Sequence, residues 1–150
     1  MSGTDEADKA PVAEREELQA AARAAAEHAW TPYSQFRVGA AVVAETAEGR
    51  RIVTGANIEN ASYGLTLCAE RAALAAACQL APAGERPQIT AVAVVGLDAQ
   101  GACMPCGACR QWFAELAPDA DIYIEGVAET LHDRPVAGQP DARGRTPRPL

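Results

Sequence analysis

The segment from Ile89 to Leu97 restricts the fold most, because it is an almost unbroken run of apolar, β-forming residues. A strand with one face in water alternates between polar and apolar residues, whereas a continuous apolar run is typical of a strand covered on both faces. A chain of 150 residues is long enough to supply both covering layers within one domain. The segment therefore predicts a central strand with helices on either side of its sheet.

The patterns before and after this segment agree with a layered fold, because helical periodicity and strand-forming runs follow one another along the chain. The predicted elements are helices over residues 12–30, 67–80 and 106–116, strands over 36–46, 51–56, 89–97 and 122–124, and a weak helical stretch over 127–131. The order helix, hairpin, helix, strand, helix, strand predicts an α/β fold, namely a three-layer α/β/α domain around a central mixed sheet.

Composition divides the chain into three parts. Residues 1–11 are polar and acidic and predict a flexible leader, and residues 12–133 form the folded domain. Residues 134–150 are rich in Pro, Gly and Arg, which is the composition of a loop or a disordered tail.

The charge and the amino terminus exclude several function classes. A formal net charge of -7 argues against a protein that grips nucleic acid or anionic lipid. The amino terminus lacks the basic start and apolar stretch of a signal peptide, and no apolar run approaches the roughly 20 residues of a spanning helix. We therefore expect a cytoplasmic protein with neither nucleic acid nor membrane as a partner. In a reducing compartment its five cysteines are expected to be metal ligands or catalytic groups rather than disulfides.

Three cysteines lie at the starts of two predicted helices. Cys106 and Cys109 form a Cys-x-x-Cys pair, which alone fits a redox site, a structural zinc site or an iron–sulfur site. Cys68 stands in an equivalent position before another helix, and helix N-termini favour the thiolate form that binds metals. The presence of a third cysteine favours a zinc site over a redox site. Three protein ligands are typical of a catalytic zinc, in which the fourth position is left for water.

A fourth protein ligand would convert this site into a closed, structural one. Cys103 is the strongest alternative ligand, since it lies in the loop just before Cys106. His28 and His132 are weaker alternatives, because a helix surface and a solvated loop explain them equally well. Cys78 lies among alanines in a predicted helix and is expected to be a small core residue.

Glu70 follows Cys68 by two residues and can therefore flank a metal without binding it. A carboxylate in that position can take a proton from a water activated by zinc and pass it to a leaving group. The alternative is that Glu70 only complements the positive end of the helix dipole.

Taken together, these residues resemble the zinc deaminase signature, in which Cys-x-Glu is followed by Pro-Cys-x-x-Cys. The chain resembles most closely the small cytidine deaminases of nucleoside salvage, over roughly residues 12–125. The motifs that carry the resemblance are YSQFRVGAA at residues 33–41, GANIENASY at 55–63, CAER at 68–71 and PCGACRQ at 105–111.

The resemblance implies a zinc-dependent enzyme with one Zn²⁺ per chain. Cys68, Cys106 and Cys109 would be the zinc ligands and Glu70 the proton shuttle. Arg71 would withdraw negative charge from the three thiolates, with a surface ion pair as its alternative role.

The resemblance also implies a substrate pocket shared within a homotetramer. The implied contacts are Phe36 and the backbone of Ala69 with the pyrimidine, Asn57 and Glu59 with the sugar hydroxyls, chiefly the 3'-hydroxyl, and Ala61 and Tyr63 with the sugar of a neighbouring subunit's substrate. The expected reaction is hydrolytic deamination of cytidine or deoxycytidine to uridine or deoxyuridine and ammonia, as in pyrimidine salvage.

The carboxyl-terminal part departs from the family, which usually ends in Leu-Leu-Pro and a phenylalanine that covers a neighbour's base. No phenylalanine follows Phe113, and the usual strand before that motif looks shortened or missing. The departure predicts low affinity for cytidine, a different covering residue, or a modified cytosine nucleoside such as blasticidin S as the substrate. A second alternative is a catalytically inactive, zinc-containing relative that binds nucleosides.

Overall fold

The structure is a computed structural model that describes residues 9–127 and 131–132. Its elements in chain order are α1 (Lys9–Ala26), β1 (Val38–Thr46), β2 (Gly49–Ala56), a short 3-10 helix (Tyr63–Leu65), α2 (Ala69–Cys78), β3 (Gln88–Gly96), α3 (Gly107–Leu116), β4 (Asp121–Ile124) and β5 (Leu131–His132). The helices and strands predicted up to residue 124 are all present, with ends that shift by a few residues.

The strands form one mixed sheet in the order β2-β1-β3-β4-β5. β1 pairs antiparallel with β2 in a hairpin and antiparallel with β3 on its other side. β3 and β4 are parallel, and α3 lies in the connection between them. β5 pairs antiparallel with β4, so a strand after β4 is not missing from the described part of the chain.

Helices cover both faces of this sheet, which confirms the predicted three-layer α/β/α arrangement. Because side chains alternate along a strand, β1 and β3 contribute to two separate cores. On one face Leu18 and Ala22 of α1 pack in a core with Ala91 and Val95. On the other face α2 and α3 pack against a core that includes Val92 and Val94, so the run that begins at Ile89 is covered on both faces as predicted.

Two glycines allow the helices to approach the sheet closely. A Cβ built on Gly39 would lie 1.9 Å from the carbonyl oxygen of Ala22, which fixes the contact between β1 and α1. A Cβ built on Gly55 would lie 2.6 Å from the carbonyl oxygen of Ala69 and 2.5 Å from the amide nitrogen of Ala73. The position of the first turn of α2 therefore depends on the absence of a side chain at Gly55.

The largest differences from the sequence predictions lie at the end of α1 and in the segment predicted as a weak helix over residues 127–131. α1 ends at Ala26 rather than at residue 30, because the Trp30 amide donates to the Asn57 carbonyl at 3.0 Å and so leaves the helical path. At the other end of the domain Leu131 begins a strand, so it does not continue a helix from Val127.

Of the three parts that the sequence predicts, the structure describes most of the folded domain but little of the leader and none of the tail. Residues 1–8, 128–130 and 133–150 lie outside the described part, and with them the predicted tail and most of the predicted leader. α1 begins at residue 9 and so overlaps the end of that leader. Among the described helices, none combines the length and the apolar character of a membrane-spanning segment.

Candidate active site

The N-termini of α2 and α3 bring three cysteine side chains together. Cys68 is the N-cap residue of α2, Cys106 is the N-cap residue of α3, and Cys109 lies in the first turn of α3. The Cys106 sulfur lies 3.7 Å from the sulfur of Cys68 and 3.5 Å from that of Cys109. All three ligand atoms lie within 4.8 Å of one another, and all three thiols are free.

This cluster fits a tetrahedral zinc ion. Zinc binds thiolate sulfur at about 2.3 Å, which places the sulfurs of a tetrahedral site roughly 3.8 Å apart. The positive ends of both helix dipoles favour thiolates at this point. A hydrogen bond from the Cys109 thiol and the guanidinium of Arg71 lower the pKa of the Cys68 thiol to about 5. The donor set, its spacing and its electrostatics all agree with a metal centre.

The alternative fourth ligands do not join this group. Among the side chains that the structure describes, the group of close potential metal ligands contains neither Cys103, Cys78 nor His28. The His132 side chain lies outside the described part of the chain. Cys103 is half-buried, and its burial, together with the charge of Glu70, raises the pKa of its thiol to about 11. The arrangement is therefore that of a three-cysteine centre.

Arg71 lies behind the thiols, where its guanidinium can balance their negative charge. Its Nη2 atom donates to the Thr66 carbonyl at 2.9 Å and lies 3.6 Å from the Cys68 sulfur. Its Nε atom is buried and has no hydrogen-bond partner among the described residues, which leaves a donor beside the cluster. These contacts favour a role at the metal centre over the alternative of a surface ion pair.

Glu70 projects from the first turn of α2 and is only 5% exposed. A glutamate that merely complements a helix dipole is expected on the surface, so this burial argues for a more specific role. Burial is the main cause that raises the pKa of Glu70, and the negative charge of Cys68 raises it further. The carboxylate is therefore a better proton acceptor than an exposed glutamate.

A cavity of about 370 Å³ opens beside Glu70 and the thiols. Its lining residues are Ser34, Phe36, Val38, Asn57, Glu59, Tyr63, Thr66, Cys68, Ala69, Glu70, Cys103, Met104 and Cys106. This wall combines apolar surface with a few polar groups, as is typical of sites for small molecules. Within the described part of the chain, no Lys, Arg or His lines the cavity.

Asn57 and Glu59 line the cavity and also hold its wall together. The Asn57 amide accepts from the Val38 nitrogen at 2.8 Å and donates to the Phe36 carbonyl at 2.9 Å. Glu59 is 7% exposed and accepts hydrogen bonds from the Ser34 hydroxyl and from the backbone amides of Tyr33 and Ser34. The Ser34 hydroxyl is the main cause that lowers the pKa of Glu59, so this carboxylate stays ionised.

Most of the residues that the sequence assigned to substrate binding lie together in the structure. Phe36, Asn57, Glu59, Tyr63 and Ala69 all line the cavity. Ala61 is exposed and is not part of the lining of this chain's own cavity.

The sequence prediction missed several lining residues, namely Ser34, Val38, Thr66, Cys103 and Met104. Val38 could have been found by alternation, because residues two apart on a strand face the same side. Ser34 carried no such signal, because its partner Glu59 lies 25 residues away in the chain.

Comparison with known proteins agrees with this centre. A family model described as the cytidine and deoxycytidylate deaminase zinc-binding region matches residues 12–125. A cytidine deaminase from Halalkalibacterium halodurans is 46% identical over 110 residues, which are 73% of this chain and 77% of that protein. One from Mycobacterium tuberculosis H37Rv is 43% identical over 120 residues, 79% of this chain and 77% of that protein.

A crystal structure shares the fold as well as the sequence. The cytidine deaminase from Burkholderia pseudomallei superposes with a TM-score of 0.68 at 44% identity, over 79% of this chain and 91% of that one. The matched region includes both helix starts and all three cysteines of the cluster. The chain therefore belongs to the cytidine and deoxycytidylate deaminase family, whose zinc-binding region it contains.

Proposed function

We propose that this protein is a hydrolase that deaminates cytidine, deoxycytidine or both, with water as co-substrate and ammonia as the second product. The observation that carries the proposal is the burial of Glu70 where the cavity meets the three thiols. The relatives named cytidine deaminase, at 41–46% identity over most of the chain, support the same reaction.

Cys68, Cys106 and Cys109 would hold one Zn²⁺. Zinc bound by three protein ligands acts as a Lewis acid that lowers the pKa of water toward about 7. Arg71 offsets the negative charge of the thiolates through its contact with Cys68, so that this acidity is preserved.

We assign the proton transfers to Glu70. Its carboxylate accepts a proton from the attacking water and delivers it to N3 of the cytosine ring. In a second transfer Glu70 moves the remaining proton of the added hydroxyl to the exocyclic amino group. The bond between C4 and this nitrogen then breaks, ammonia leaves, and C4 keeps the oxygen of the water as a carbonyl. A carboxylate with a raised pKa suits both directions of transfer, because a pKa closer to neutral pH lets it accept a proton and also release it.

The remaining wall would bind the nucleoside. Phe36 packs on the base, the backbone at Ala69 holds the pyrimidine edge, and Asn57 and Glu59 bind the sugar hydroxyls. Two carboxylates and no cationic side chain among the described lining residues favour an uncharged nucleoside over a nucleotide.

An ultraviolet time course with purified, metal-analysed protein tests the proposal. We expect one zinc per chain and a loss of cytidine absorbance as uridine forms, with deoxycytidylate turned over far more slowly. Parallel reactions with deoxycytidine and blasticidin S distinguish the alternatives. Zinc at one per chain without turnover of any of these compounds would contradict the proposal and favour an inactive, nucleoside-binding relative.

We further propose a cytoplasmic homotetramer whose subunits share their active sites. Two large apolar side chains of the 3-10 helix support an interface beside the cavity: Tyr63, which lines the cavity, is 70% exposed in the single chain, and Leu65 is 71% exposed. Light scattering coupled to size-exclusion chromatography is expected to give four chains per particle. A monomer at micromolar concentration would contradict this assembly.

A further inference from the structure

Ser34 lies in the loop between α1 and β1, and its hydroxyl joins two residues of the cavity wall. The hydroxyl donates to the Glu59 carboxylate and accepts a hydrogen bond from the Phe36 amide at 3.0 Å. The Ser34 amide also donates to Glu59, at 3.2 Å. One small side chain thus connects the Glu59 carboxylate with the backbone of Phe36.

The backbone of Phe36 is held from its other side as well. Its carbonyl accepts from the Asn57 side chain at 2.9 Å, so Asn57 holds the carbonyl while Glu59 holds the amide through Ser34. Gln35, between Ser34 and Phe36, has a φ of 57°, in the left-handed region that residues other than glycine seldom adopt. Such a backbone conformation persists only where surrounding contacts fix it.

We propose that Ser34 is a positioning residue for the deamination reaction. It fixes the Phe36 ring and the Glu59 carboxylate relative to each other. The role rests on the proposed function, because Phe36 and Glu59 are its assigned contacts to base and sugar. Ser34 acts on substrate binding rather than on the chemical step, since Glu70 and the thiols are held by α2 and α3.

Substitution of Ser34 separates these two effects. We expect Ser34→Ala to raise KM for cytidine about tenfold and to change kcat less than about threefold, because the lost hydrogen bond has a charged acceptor. Ser34→Thr keeps a hydroxyl and is expected to restore most of the affinity. If Ser34→Ala does not fold, Ser34→Cys serves in its place, since its thiol is a weaker hydrogen-bonding group and gives a smaller rise in KM.

Thr46, the last residue of β1, offers a matched control. Its hydroxyl accepts from the Glu48 amide at 3.2 Å, which is the same contact to a residue two positions ahead that Ser34 makes with Phe36. Thr46 does not belong to the lining of this cavity. We therefore expect Thr46→Ala to leave KM and kcat for cytidine unchanged.

A substrate without the 3'-hydroxyl separates the two partners of Ser34. With 3'-deoxycytidine the effect of Ser34→Ala on KM is expected to become smaller but to persist, because the displacement of Phe36 remains. If the effect disappears with this substrate, Ser34 acts through Glu59 alone and the role assigned through Phe36 is wrong.

Hydrogen exchange of the Phe36 amide tests the same role without catalysis. Its exchange is expected to become about tenfold faster in Ser34→Ala, as for a lost hydrogen bond of about 1.4 kcal/mol. If the wild-type protein does not deaminate cytidine, the proposed function fails while this measurement still tests the positioning. If the wild-type protein is active and Ser34→Ala retains both its KM and its slow Phe36 exchange, the positioning role is overturned.

Discussion

Glu70 shows how the surroundings of a single side chain change its chemistry. Two residues before it, Cys68 begins the helix, and the same turn buries the carboxylate next to three thiols. An identical glutamate on the outer face of α1 would be ionised, solvated and inert. Burial and the neighbouring negative charge, rather than residue type, are what raise the pKa of Glu70.

Replacement of Glu70 by glutamine is expected to abolish proton transfer without disturbing the metal. Because general acid–base catalysis contributes roughly 10²- to 10⁴-fold, kcat for Glu70→Gln should fall by at least about 10². Atomic emission analysis should still find one zinc per chain. The exposed Glu85 provides the control, and Glu85→Gln should retain full activity. Substantial turnover by Glu70→Gln would contradict the assigned role.

At the scale of elements, the contact between β2 and α2 determines where the metal centre stands. Gly55→Ala would place a methyl group 2.6 Å from the Ala69 carbonyl oxygen, so α2 must move away from the sheet. Overpacking of this kind costs about 1–3 kcal/mol of unfolding free energy. Since Cys68 directly precedes α2, we also expect weaker zinc binding in a chelator competition.

The control for this change is Gly101→Ala, because a Cβ at that loop position meets no atom of the described residues within 4 Å. Its unfolding free energy, measured by urea titration, is expected to equal that of the wild type within about 0.5 kcal/mol. Equal stability of Gly55→Ala and the wild type would show that α2 is not held at this distance by Gly55.

The elements themselves could be predicted from the sequence, whereas several of their ends could not. The strand from Ile89 was predictable because its composition alone requires two covering layers. The end of α1 at Ala26 was not, since it depends on a bond from Trp30 to Asn57 far along the chain. The link between Ser34 and Glu59 escaped prediction for the same reason, because no local pattern encodes a pairing across 25 residues.

For the molecule as a whole, the metal is expected to contribute to stability as well as to catalysis. A ligand at about 1,000 times its Kd stabilises the folded state by about 4 kcal/mol. For a chain of this size, removal of such a ligand lowers Tm by on the order of 10 °C. Calorimetry with and without a chelator measures this change, and added zinc should reverse it. Cys106→Ser should melt at the lower temperature with or without chelator. An unchanged Tm after complete zinc removal would contradict the prediction.

Stability at alkaline pH is expected to depend on Tyr123, a β4 residue in the core between the sheet and α1. It is 1% exposed, and its hydroxyl lies 3.3 Å from a Glu14 oxygen and 3.4 Å from an Asp121 oxygen. Burial, with the charges of Asp121 and Glu14, raises the pKa of Tyr123 to about 12. Because the unfolded chain ionises at about 10, this contribution is complete below pH 10 and is lost as pH rises toward 12.

Urea midpoints measured between pH 9 and pH 12 test this dependence. The wild type should lose stability across the upper part of the range, and Tyr123→Phe should lose less because it has no phenol to ionise. Parallel curves for the two proteins would rule out Tyr123 as the cause. Absorbance near 295 nm should show one tyrosine that ionises later than the others.

The bonds around Phe36 have a consequence for any attempt to alter substrate preference by engineering. In the proposed function Asn57 and Glu59 bind the sugar, and they also hold the Phe36 backbone, directly and through Ser34. Variants that exchange them to suit another sugar are therefore expected to lose selectivity for the base as well. Tyr63 and Met104 also line the cavity, but they are 70% and 57% exposed. A library that varies these two positions and keeps Ser34, Asn57 and Glu59 unchanged is therefore the better route to enzymes for modified cytosine nucleosides.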